Sequence, residues 1–362
     1  MHTLELIKPD GRALRLYGRA PIVCEGPAPA PQKAAALADH PHLRWHPLRG
    51  EWVAYAPHRQ GRTFLPSAQS NPLRPTTDAA APTELPAGCY DIAVFDNLFP
   101  TLSLTAAAPA QTIVATLPAS GHCEVVVYSQ DENTSLGSLP LDHIELLLEV
   151  WGRHTQLNGE DQRIQYVLPF ENRGLEVGAT LGHPHGQIYS YPFIPPLPRR
   201  MLDQSLAHFE KTGRALLQDL IIEEIDDNKR ILYAGAHAVA FVPVCARYSY
   251  EVWVAPRRAV PYLYELTPDE RSDLARALKT VLMKFDGLWQ RPFPYVMAWF
   301  QAPTDGQPHP ESLLHIEFYP PYRTREKLKY LAGTELAAGF FACDSVPEET
   351  ARQLQAVSVE LA

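Results

Sequence analysis

Two histidines and a glutamine occupy alternate positions in one short stretch of the chain. His183, His185 and Gln187 lie within the segment Gly-His-Pro-His-Gly-Gln at 182–187. The flanking residues are typical of a short strand, on which side chains two apart point to the same face. Pro184 fixes its own backbone angle and restricts the residue before it, so the backbone that carries the two histidines is rigid. These residues suit nucleophilic attack on phosphorus or the binding of a metal ion, unless they only satisfy local hydrogen bonds.

A histidine nucleophile at this place needs several kinds of support. Such a histidine is neutral near pH 7, and a backbone carbonyl of the turn at residues 183–185 would hold the proton on its other ring nitrogen. Gln187 is a candidate donor to a phosphoryl oxygen, as in an oxyanion hole. Further donors are predicted from Asn172, Thr180 and the main chain of Gly174, Gly178 and Gly186. The candidate cations that would offset phosphate charge are Arg44, Arg59, Arg62, Arg173 and Lys329.

The composition excludes several classes of protein. The chain has 362 residues, a net charge of −9 and a hydrophobic content of 46%, which is typical of a soluble globular protein with two domains or one duplicated domain. The negative charge argues against non-specific binding to nucleic acid. No apolar run is long enough to cross a bilayer, and the first residues lack the layout of a secretory signal. Five scattered cysteines without a Cys-x-x-Cys pair predict a reducing, cytoplasmic location and no thiolate zinc site.

The order of predicted elements repeats along the chain. In each half, two strands precede a helix, and then a third strand and a polar loop precede a short histidine-bearing strand that ends in prolines. The first helix is predicted over residues 140–156, and the second begins at a capping box over residues 267–270. In the second half the last strand carries His315 and Glu317. The repeat predicts an internal duplication in which one copy kept the potential nucleophile.

Composition along the chain predicts the domain boundaries. Residues 1–38 form an N-terminal extension, residues 39–198 form the half that carries the nucleophile, and residues 199–362 form the second half. Residues 66–88, rich in proline, alanine and threonine, are predicted as a loop or a partly disordered insertion. The sequence also predicts one helix over residues 201–230 and a helical C-terminal segment from residue 323 onwards.

Several motifs together resemble one known family. They are Phe-Glu-Asn-Arg-Gly at 170–174, Gly-His-Pro-His-Gly-Gln-Ile at 182–188, Arg-Trp-His-Pro-Leu-x-Gly-Glu-Trp-Val at 44–53, Pro-His-Arg at 57–59, Gln-Ala-Pro at 301–303 and His-x-x-Phe-Tyr-Pro-Pro at 315–321. In this combination and order the chain resembles the galactose-1-phosphate uridylyltransferases, members of the histidine-triad superfamily. The resemblance implies an α+β fold of two tandem histidine-triad-like halves, with helices packed against antiparallel sheets.

The resemblance also implies an activity and a set of site residues. His185 would attack the α-phosphate of UDP-glucose, and the resulting uridylyl-histidine would pass UMP to galactose 1-phosphate in a ping-pong exchange. Gln187 would contact the phosphate, and His183 would be the rigid neighbour of the nucleophile. Matching positions for substrate binding are Asn172, Gly178 and Thr180 at the phosphates, Phe95, Asn97 and Phe99 in the nucleotide pocket, and Lys329, Tyr330 and Glu335 at the sugar phosphate. The family is typically a homodimer with nucleotide sites shared between its subunits.

The chain departs from the family at the positions where metals are expected. Zinc-bearing members use a Cys-x-x-Cys pair around residues 65–75 and a histidine near residues 129–131. Here the cysteines are absent, Glu132 takes the place of the histidine, and only His183 remains of the ligand set. The four positions of a second, iron-type site are Met201, Phe300, His315 and Glu317. We therefore predict no metal at either site and no other cofactor.

The chain also differs from the family at two positions of the sugar-phosphate site, where Phe341 and Thr334 replace a glutamine and a tyrosine. One alternative is therefore a related nucleotide-sugar phosphorylase or adenylyltransferase with a different base or acceptor. A further alternative is a protein that binds nucleotide sugars without catalysis. A metal hydrolase is disfavoured, because two histidines on one strand lack a third ligand nearby.

Overall fold

The computed structural model describes residues 1–31, 41–61, 66 and 70–361. The strands are β1 (His2–Ile7), β2 (Ala13–Gly18), β3 (Val23–Glu25), β4 (His42–His46), β5 (Glu51–Tyr55), β6 (Ala87–Cys89), β7 (Ile92–Asp96), β8 (Thr116–Pro118), β9 (His122–Val127), β10 (Tyr166–Arg173), β11 (His185–Tyr191), β12 (Ile231–Ala234), β13 (Ala238–Phe241), β14 (Val252–Pro256), β15 (Tyr295–Phe300), β16 (His315–Tyr319), β17 (Tyr322–Thr324) and β18 (Lys327–Leu328). The α-helices are α1 (Leu141–Gly159), α2 (Pro196–Thr212), α3 (Leu216–Asp227), α4 (Pro268–Trp289) and α5 (Pro347–Gln355). No helix within the described ranges is long and apolar enough to cross a membrane.

Eleven of these strands form one antiparallel sheet in the order β1-β2-β7-β9-β11-β10-β15-β16-β14-β13-β12. The first half contributes β7-β9-β11-β10 and the second contributes β13-β14-β16-β15, so corresponding strands occupy the same places in each half. The halves meet where β10 pairs with β15, from Phe170 opposite Ala298 to Arg173 opposite Tyr295. The predicted duplication is confirmed, because each half has the same strand order with one long helix, α1 or α4, before its third strand.

Helices α1 and α4 bury their apolar sides against one another and against the sheet. Leu147 and Trp151, one helical turn apart on α1, are fully buried. Trp151 also contacts Trp299 of β15, with ring centroids 5.0 Å apart. The predicted capping box of α4 is present: Glu270 N–H donates to Thr267 Oγ1, and Thr267 N–H donates to the Glu270 carboxylate. These helices pack against one face of the sheet, so polar side chains that point to the other face can contact a ligand.

The N-terminal hairpin is part of the large sheet. β1 pairs with β2, and β2 pairs with β7. Three smaller sheets are formed by β3 with β6, by β17 with β18, and by β5, β4 and β8. Part of the predicted loop at 66–88 lies outside the described residues, and β6 contains its last two residues.

The helix predicted over residues 201–230 is interrupted. Gly213 has a φ of 72°, a left-handed conformation that ends α2, and α3 begins at Leu216. The single-helix prediction was therefore wrong, because a glycine in the middle of the segment terminates the first helix.

The helical prediction for the C-terminal residues was wrong for most of their length. The segment begins with the small β17–β18 sheet, continues through a short irregular helical turn at Thr334–Ala338, and is α-helical only in α5. Tyr330 and Phe340 are 77% and 69% exposed. A helix of this length needs a buried apolar side to be stable in water, and these side chains bury little surface against their own chain.

Candidate active site

The strand that carries the predicted nucleophile lies near the middle of the large sheet. His185 is the first residue of β11, which pairs with β9 on one side and β10 on the other. Ile188 of the same strand packs into the core with α1 and α4. Because side chains alternate along a strand, His185, Gln187 and Tyr189 point to the opposite face. The prediction that His185 and Gln187 share a face is confirmed. His183 was expected on the same face, but it lies at a bend before β11 and its ring contacts Ser129 and Asn71 instead.

The imidazole of His185 has a defined proton arrangement. Its Nδ1 lies 2.8 Å from the carbonyl oxygen of His183, which can only accept, so Nδ1 is protonated and donates. The predicted main-chain acceptor is therefore present. Nε2 carries the lone pair and makes no hydrogen bond to any residue of the described ranges. Burial lowers the pKa of His185, which keeps the ring neutral near pH 7.

A cavity of about 580 Å³ opens on this face of the sheet. Its volume lies in the range of sites for small ligands. Nine of the residues predicted to react with or bind substrate line it: Arg59, Phe95, Asn97, Phe99, Asn172, Gly178, Thr180, His185 and Gln187. They come from β7 and the loop after it, from β10, from the loop between β10 and β11, from β11 and from the turn after β5. The strand order brings these distant segments to one place.

Arg59 is the predicted cation that lines this cavity. Its Nη1 donates to the Phe99 carbonyl oxygen at 3.0 Å and to Tyr189 Oη at 3.2 Å, which holds the guanidinium in place. Tyr189 also lines the cavity and was missed by the sequence analysis. Tyr189 follows Gln187 by two residues on the same strand, so the alternation of side chains could have predicted that it faces the cavity.

Gly178 contributes to the cavity in a different way from that predicted. Its N–H donates to the carbonyl oxygen of Leu175 at 2.9 Å, so this main-chain donor is not free for a phosphate. Its φ of 79° is a left-handed conformation that favours glycine. Gly178 therefore shapes the loop before β11 and lets a ligand approach the main chain.

Arg173 and His183 do not line this cavity. Both line a second cavity of about 310 Å³, which shares Asn172 and His185 with the first. Arg173 donates to both carboxylate oxygens of Asp286, at 2.8 and 3.0 Å. Its charge is therefore already neutralised by a neighbour within the chain.

Arg44 lies on β4 and lines neither cavity. Its guanidinium lies over the ring of Tyr55, with the guanidinium carbon 4.6 Å from the ring centroid. Arg62 falls outside the described residues. The predicted cationic cluster therefore reduces, within the described ranges, to Arg59 at the larger cavity and Arg173 at the smaller one.

Of the predicted sugar-phosphate residues, Lys329 and Glu335 contact one another, and none of the three lines either cavity. Lys329 Nζ lies 3.4 Å from a carboxylate oxygen of Glu335 and also donates to the Ala342 carbonyl oxygen. The Tyr330 side chain is 77% exposed. Within one chain these residues form a cluster of their own in the C-terminal segment.

Two domain models of one family match most of the chain. Residues 33–195 match the galactose-1-phosphate uridyl transferase N-terminal domain, and residues 202–361 match the C-terminal domain of the same enzyme. The chain belongs to the galactose-1-phosphate uridylyltransferase family. It is therefore an enzyme of the transferase class.

Individual members of the family are similar over most of their length. Galactose-1-phosphate uridylyltransferase of Thermotoga maritima is 37% identical over 325 residues, covering 88% of this chain and 99% of that protein. The enzyme of the same name from Streptomyces lividans is 36% identical, covering 77% of each chain. A solved structure of a uridylyltransferase superposes with a TM-score of 0.78 at 32% identity, covering 87% of this chain and 98% of that one.

The zinc ligands of some family members are replaced here by a hydrogen-bonded group. His183 Nε2 lies 2.7 Å from the carbonyl oxygen of Ser129, and its Nδ1 lies 3.1 Å from Asn71 Nδ2. The same amide nitrogen lies 2.8 Å from a carboxylate oxygen of Glu132. Both imidazole nitrogens are thus engaged, and an amide N–H is not a metal ligand. This group of residues does not fit a tetrahedral zinc ion with nitrogen and sulfur ligands.

The iron-type positions of the family also lack a full set of ligands. The His315 ring stacks on Phe300, with centroids 5.3 Å apart, and its Nε2 lies 3.1 Å from Glu317 Oε1. Met201 lines the same small cavity as Phe300 and His315. An aromatic ring supplies no donor atom and a thioether is a weak one, so two strong ligands are present where four are needed.

Among the described residues, Asp96, His122 and Glu124 form one group whose potential ligand atoms all lie within 4.8 Å. The three are already paired: His122 Nε2 lies 2.8 Å from Asp96 Oδ1, and Glu124 accepts from Asn158 Nδ2 at 2.7 Å. Burial alone would lower the pKa of His122, but the hydrogen bond to Asp96 and the charge of Glu124 raise it to about 9. The group is an internal ion pair of the first half, which the sequence analysis did not predict.

Glu171 gives a pH-dependent prediction for stability. Its carboxyl lies between the hydroxyls of Tyr128 and Tyr295, at 3.4 and 3.3 Å, and burial raises its pKa to about 7. The pKa of Glu171 is thus higher in the folded than in the unfolded chain, where it is near 4.5. The protonated carboxyl therefore stabilises the fold most below pH 4.5, and this contribution is lost as the pH rises through 7. We expect this loss to be about 3 kcal/mol by pH 8. Replacing Glu171 by glutamine should remove it.

Chemical unfolding of both proteins at pH 5 and pH 8 measures this difference. The Glu171→Gln variant should match the wild type at pH 5 and be more stable than the wild type at pH 8. Glu160→Gln is the matched control, because Glu160 is an exposed carboxylate that follows α1. Equal pH dependence of the wild type and the Glu171 variant would contradict the prediction.

Proposed function

We propose that the chain transfers UMP from UDP-glucose to galactose 1-phosphate through a covalent uridylyl-histidine at His185. The observation that carries the proposal is the fixed Nδ1 proton of His185, which leaves the Nε2 lone pair on a ring that lines a nucleotide-sized cavity. Family membership supports both the substrates and the chemistry. Nucleotide sugar and sugar 1-phosphate are then the two small-molecule partners.

The proposed reaction has two displacements at the same phosphorus. His185 Nε2 attacks the α-phosphorus of UDP-glucose, the bond from that phosphorus to the bridging oxygen breaks, and glucose 1-phosphate leaves. A phosphate oxygen of galactose 1-phosphate then attacks the uridylyl phosphorus, the phosphorus–nitrogen bond breaks, and UDP-galactose leaves. The second displacement is the first in reverse with a different sugar 1-phosphate, so the overall reaction breaks and forms the same kind of phosphorus–oxygen bond.

The residues of the larger cavity take distinct roles in this proposal. Gln187 donates to a non-bridging oxygen of the α-phosphate and stabilises the charge that develops there. Arg59 offsets the remaining negative charge of the diphosphate. The predicted phosphate contacts that remain are Asn172 and Thr180, while Gly178, whose N–H donates to Leu175, shapes the loop beside them. The predicted nucleotide contacts are Phe95, Asn97 and Phe99. Arg44 lies over Tyr55 and Arg173 is paired with Asp286, so these two side chains are less available than Arg59 to offset phosphate charge.

Intact-mass measurement after mixing with UDP-glucose tests the proposed function. A mass increase equal to one uridylyl group (UMP less one water), reversed by galactose 1-phosphate, is the expected result. An increase equal to one adenylyl group (AMP less one water) after mixing with ADP-glucose, reversed by inorganic phosphate, would instead support a phosphorylase. Nucleotide-sugar binding without any mass increase would support a binding protein.

We also propose that the chain works as a homodimer in which Lys329, Tyr330 and Glu335 complete the sugar-phosphate site of the partner subunit. The exposed side chains around this segment, such as Phe340 and Tyr330, support the proposal, since contact with a second copy would bury them. A cytoplasmic location is proposed as well. The five cysteines are all free, as expected in a reducing compartment.

Subunit mixing predicts how the shared site behaves. His185→Ala and Lys329→Ala should each be inactive alone. After exchange of subunits, half of the dimers are hybrids, and each hybrid has one site with both wild-type residues, so about a quarter of the wild-type transferase activity should return. Recovery that stays at zero, although native mass spectrometry detects hybrids, would place Lys329 at the site of its own chain. A monomer at working concentration would contradict the dimer itself.

A further inference from the structure

The side-chain amide of Asn71 has a defined orientation. Its Oδ1 accepts from the main-chain N–H of Leu73 at 3.0 Å, so its NH₂ group must point the other way. That group donates to Glu132 Oε2 at 2.8 Å and to His183 Nδ1 at 3.1 Å. Asn71 is only 8% exposed, so water does not replace these partners freely. Both amide hydrogens and the amide oxygen are therefore in use.

The ring of His183 is fixed at both of its nitrogens. Nε2 lies 2.7 Å from the carbonyl oxygen of Ser129, which can only accept, so the ring proton is on Nε2. Nδ1 is then bare and accepts from Asn71. His183 is 3% exposed, and a second proton on Nδ1 would face the Asn71 N–H without an acceptor. The surroundings thus select one neutral tautomer of His183.

The carbonyl of His183 is the acceptor that sets the tautomer of His185. The residues therefore form a continuous chain from Glu132 through Asn71 and His183 to the proposed nucleophile. Its members come from three segments: the loop before β6, the segment that follows β9, and the residues that lead into β11. Three of these hydrogen bonds link different segments: Asn71 to Glu132, Asn71 to His183, and His183 to the Ser129 carbonyl oxygen. The His183 side chain is therefore held by both of the other segments.

We propose that Asn71 and Glu132 are positioning residues, which hold His183 so that its carbonyl keeps His185 in the Nδ1–H tautomer with Nε2 free to attack. The proposal rests on the proposed function for its catalytic consequence. Neither residue lines the larger cavity that contains His185. This hydrogen-bonded network lies where the family resemblance implies zinc ligands. It holds the His183 side chain by hydrogen bonds and needs no metal ion.

Asn71→Ala removes the donor to His183 Nδ1 and leaves Glu132 without its amide partner. We expect the rate at which UDP-glucose labels His185 to fall by about tenfold or more, because small errors in the orientation of a reacting group are costly. The dissociation constant for UMP should change by less than about twofold. Glu132→Gln keeps an acceptor for Asn71, so it should restore most of the rate that Glu132→Ala loses. Asn133→Ala is the matched control, since Asn133 is an exposed neighbour whose side chain, among the described residues, bonds Asp131.

The ring protons provide a second readout that does not depend on activity. In protein labelled with ¹⁵N at histidine, long-range ¹H–¹⁵N spectra of the wild type should show His183 as the Nε2–H tautomer and His185 as the Nδ1–H tautomer. In Asn71→Ala, or in Glu132→Ala should that variant fold better, both signals should shift towards a mixture of tautomers. If a folded Asn71→Ala protein keeps the wild-type spectra or the wild-type labelling rate, the proposal is overturned. A wild type that shows the assigned tautomers but is never labelled would instead remove the proposed function.

Discussion

His185→Ala is expected to abolish covalent attachment of UMP and to lower transferase turnover on the order of 10⁴-fold or more. The reason is that the first displacement needs a lone pair on a ring nitrogen, and alanine supplies none. Binding of UMP should persist, because the other residues that line the cavity remain. Intact-mass measurement with UDP-glucose, together with the rate of UDP-galactose formation, checks both expectations.

A matched control separates this effect from a general effect of removing a histidine. His208→Ala removes an imidazole from α2 that pairs with Asp219 outside the cavity, and it should be labelled at the wild-type rate. Labelling of His185→Ala at another residue would show that the nucleophile lies elsewhere.

The pH dependence of labelling follows from the same residue. Burial lowers the pKa of His185 below its usual value of 6.5, and only the neutral ring can attack. The labelling rate should therefore stay level from pH 8 down to pH 6.5 and decline only at lower pH.

Gly186→Ala is expected to destabilise the chain and to slow labelling, although glycine and alanine differ by one methyl group. A Cβ at this position would overlap the Tyr128 hydroxyl and lie 2.9 Å from the Phe170 carbonyl oxygen. Tyr128 is fully buried and packs edge-on against Trp151, with centroids 5.7 Å apart, so it has little room to move. Overpacking of this kind costs about 1–3 kcal/mol. The strand must shift, and the residues on either side of Gly186 are the nucleophile and the proposed phosphate donor.

Thermal unfolding and the labelling rate measure this effect. Gly186→Ala combined with Tyr128→Phe should recover part of both, because the second change removes the overlapping oxygen. Gly182→Ala is the control, since a Cβ there meets no atom within 4 Å and its backbone angle is ordinary. Unchanged unfolding and labelling in Gly186→Ala would show that the strand tolerates a Cβ.

The chemistry at the start of β11 follows from local sequence. His185 and Gln187 share a face because a strand has a period of two. Pro184 precedes them and restricts His183, which lies outside β11. The main-chain acceptor for His185 Nδ1 lies only two residues away, so it too was predictable. The duplication was also predictable, because each copy repeats its own pattern of strands, helix and turns, and the capping box of α4 depends on residues three apart.

Partners that come from distant segments were decided by tertiary structure. Arg59 joins the cavity because the turn after β5 lies against Phe99 and Tyr189. Arg173 is taken up by Asp286, which belongs to the other half of the chain and is brought close by the pairing of β10 with β15. No local pattern encodes either contact. The charge of a side chain is known from the sequence. Its hydrogen-bond or ion-pair partner depends on which strands become neighbours in the fold.

The sequence by itself predicted His185 as the nucleophile, and it determined the main-chain acceptor of that ring and the paired architecture of the chain, because each depends on spacing within a few residues or on a repeated pattern. Only the tertiary structure decided that Asn71 bonds both His183 and Glu132 and that Arg59 lines the larger cavity. The tertiary structure also places Lys329 and Glu335 outside the two cavities that His185 of the same chain lines. The physical reason is that these contacts join segments tens of residues apart, and folding sets their distances through sheet order and side-chain packing.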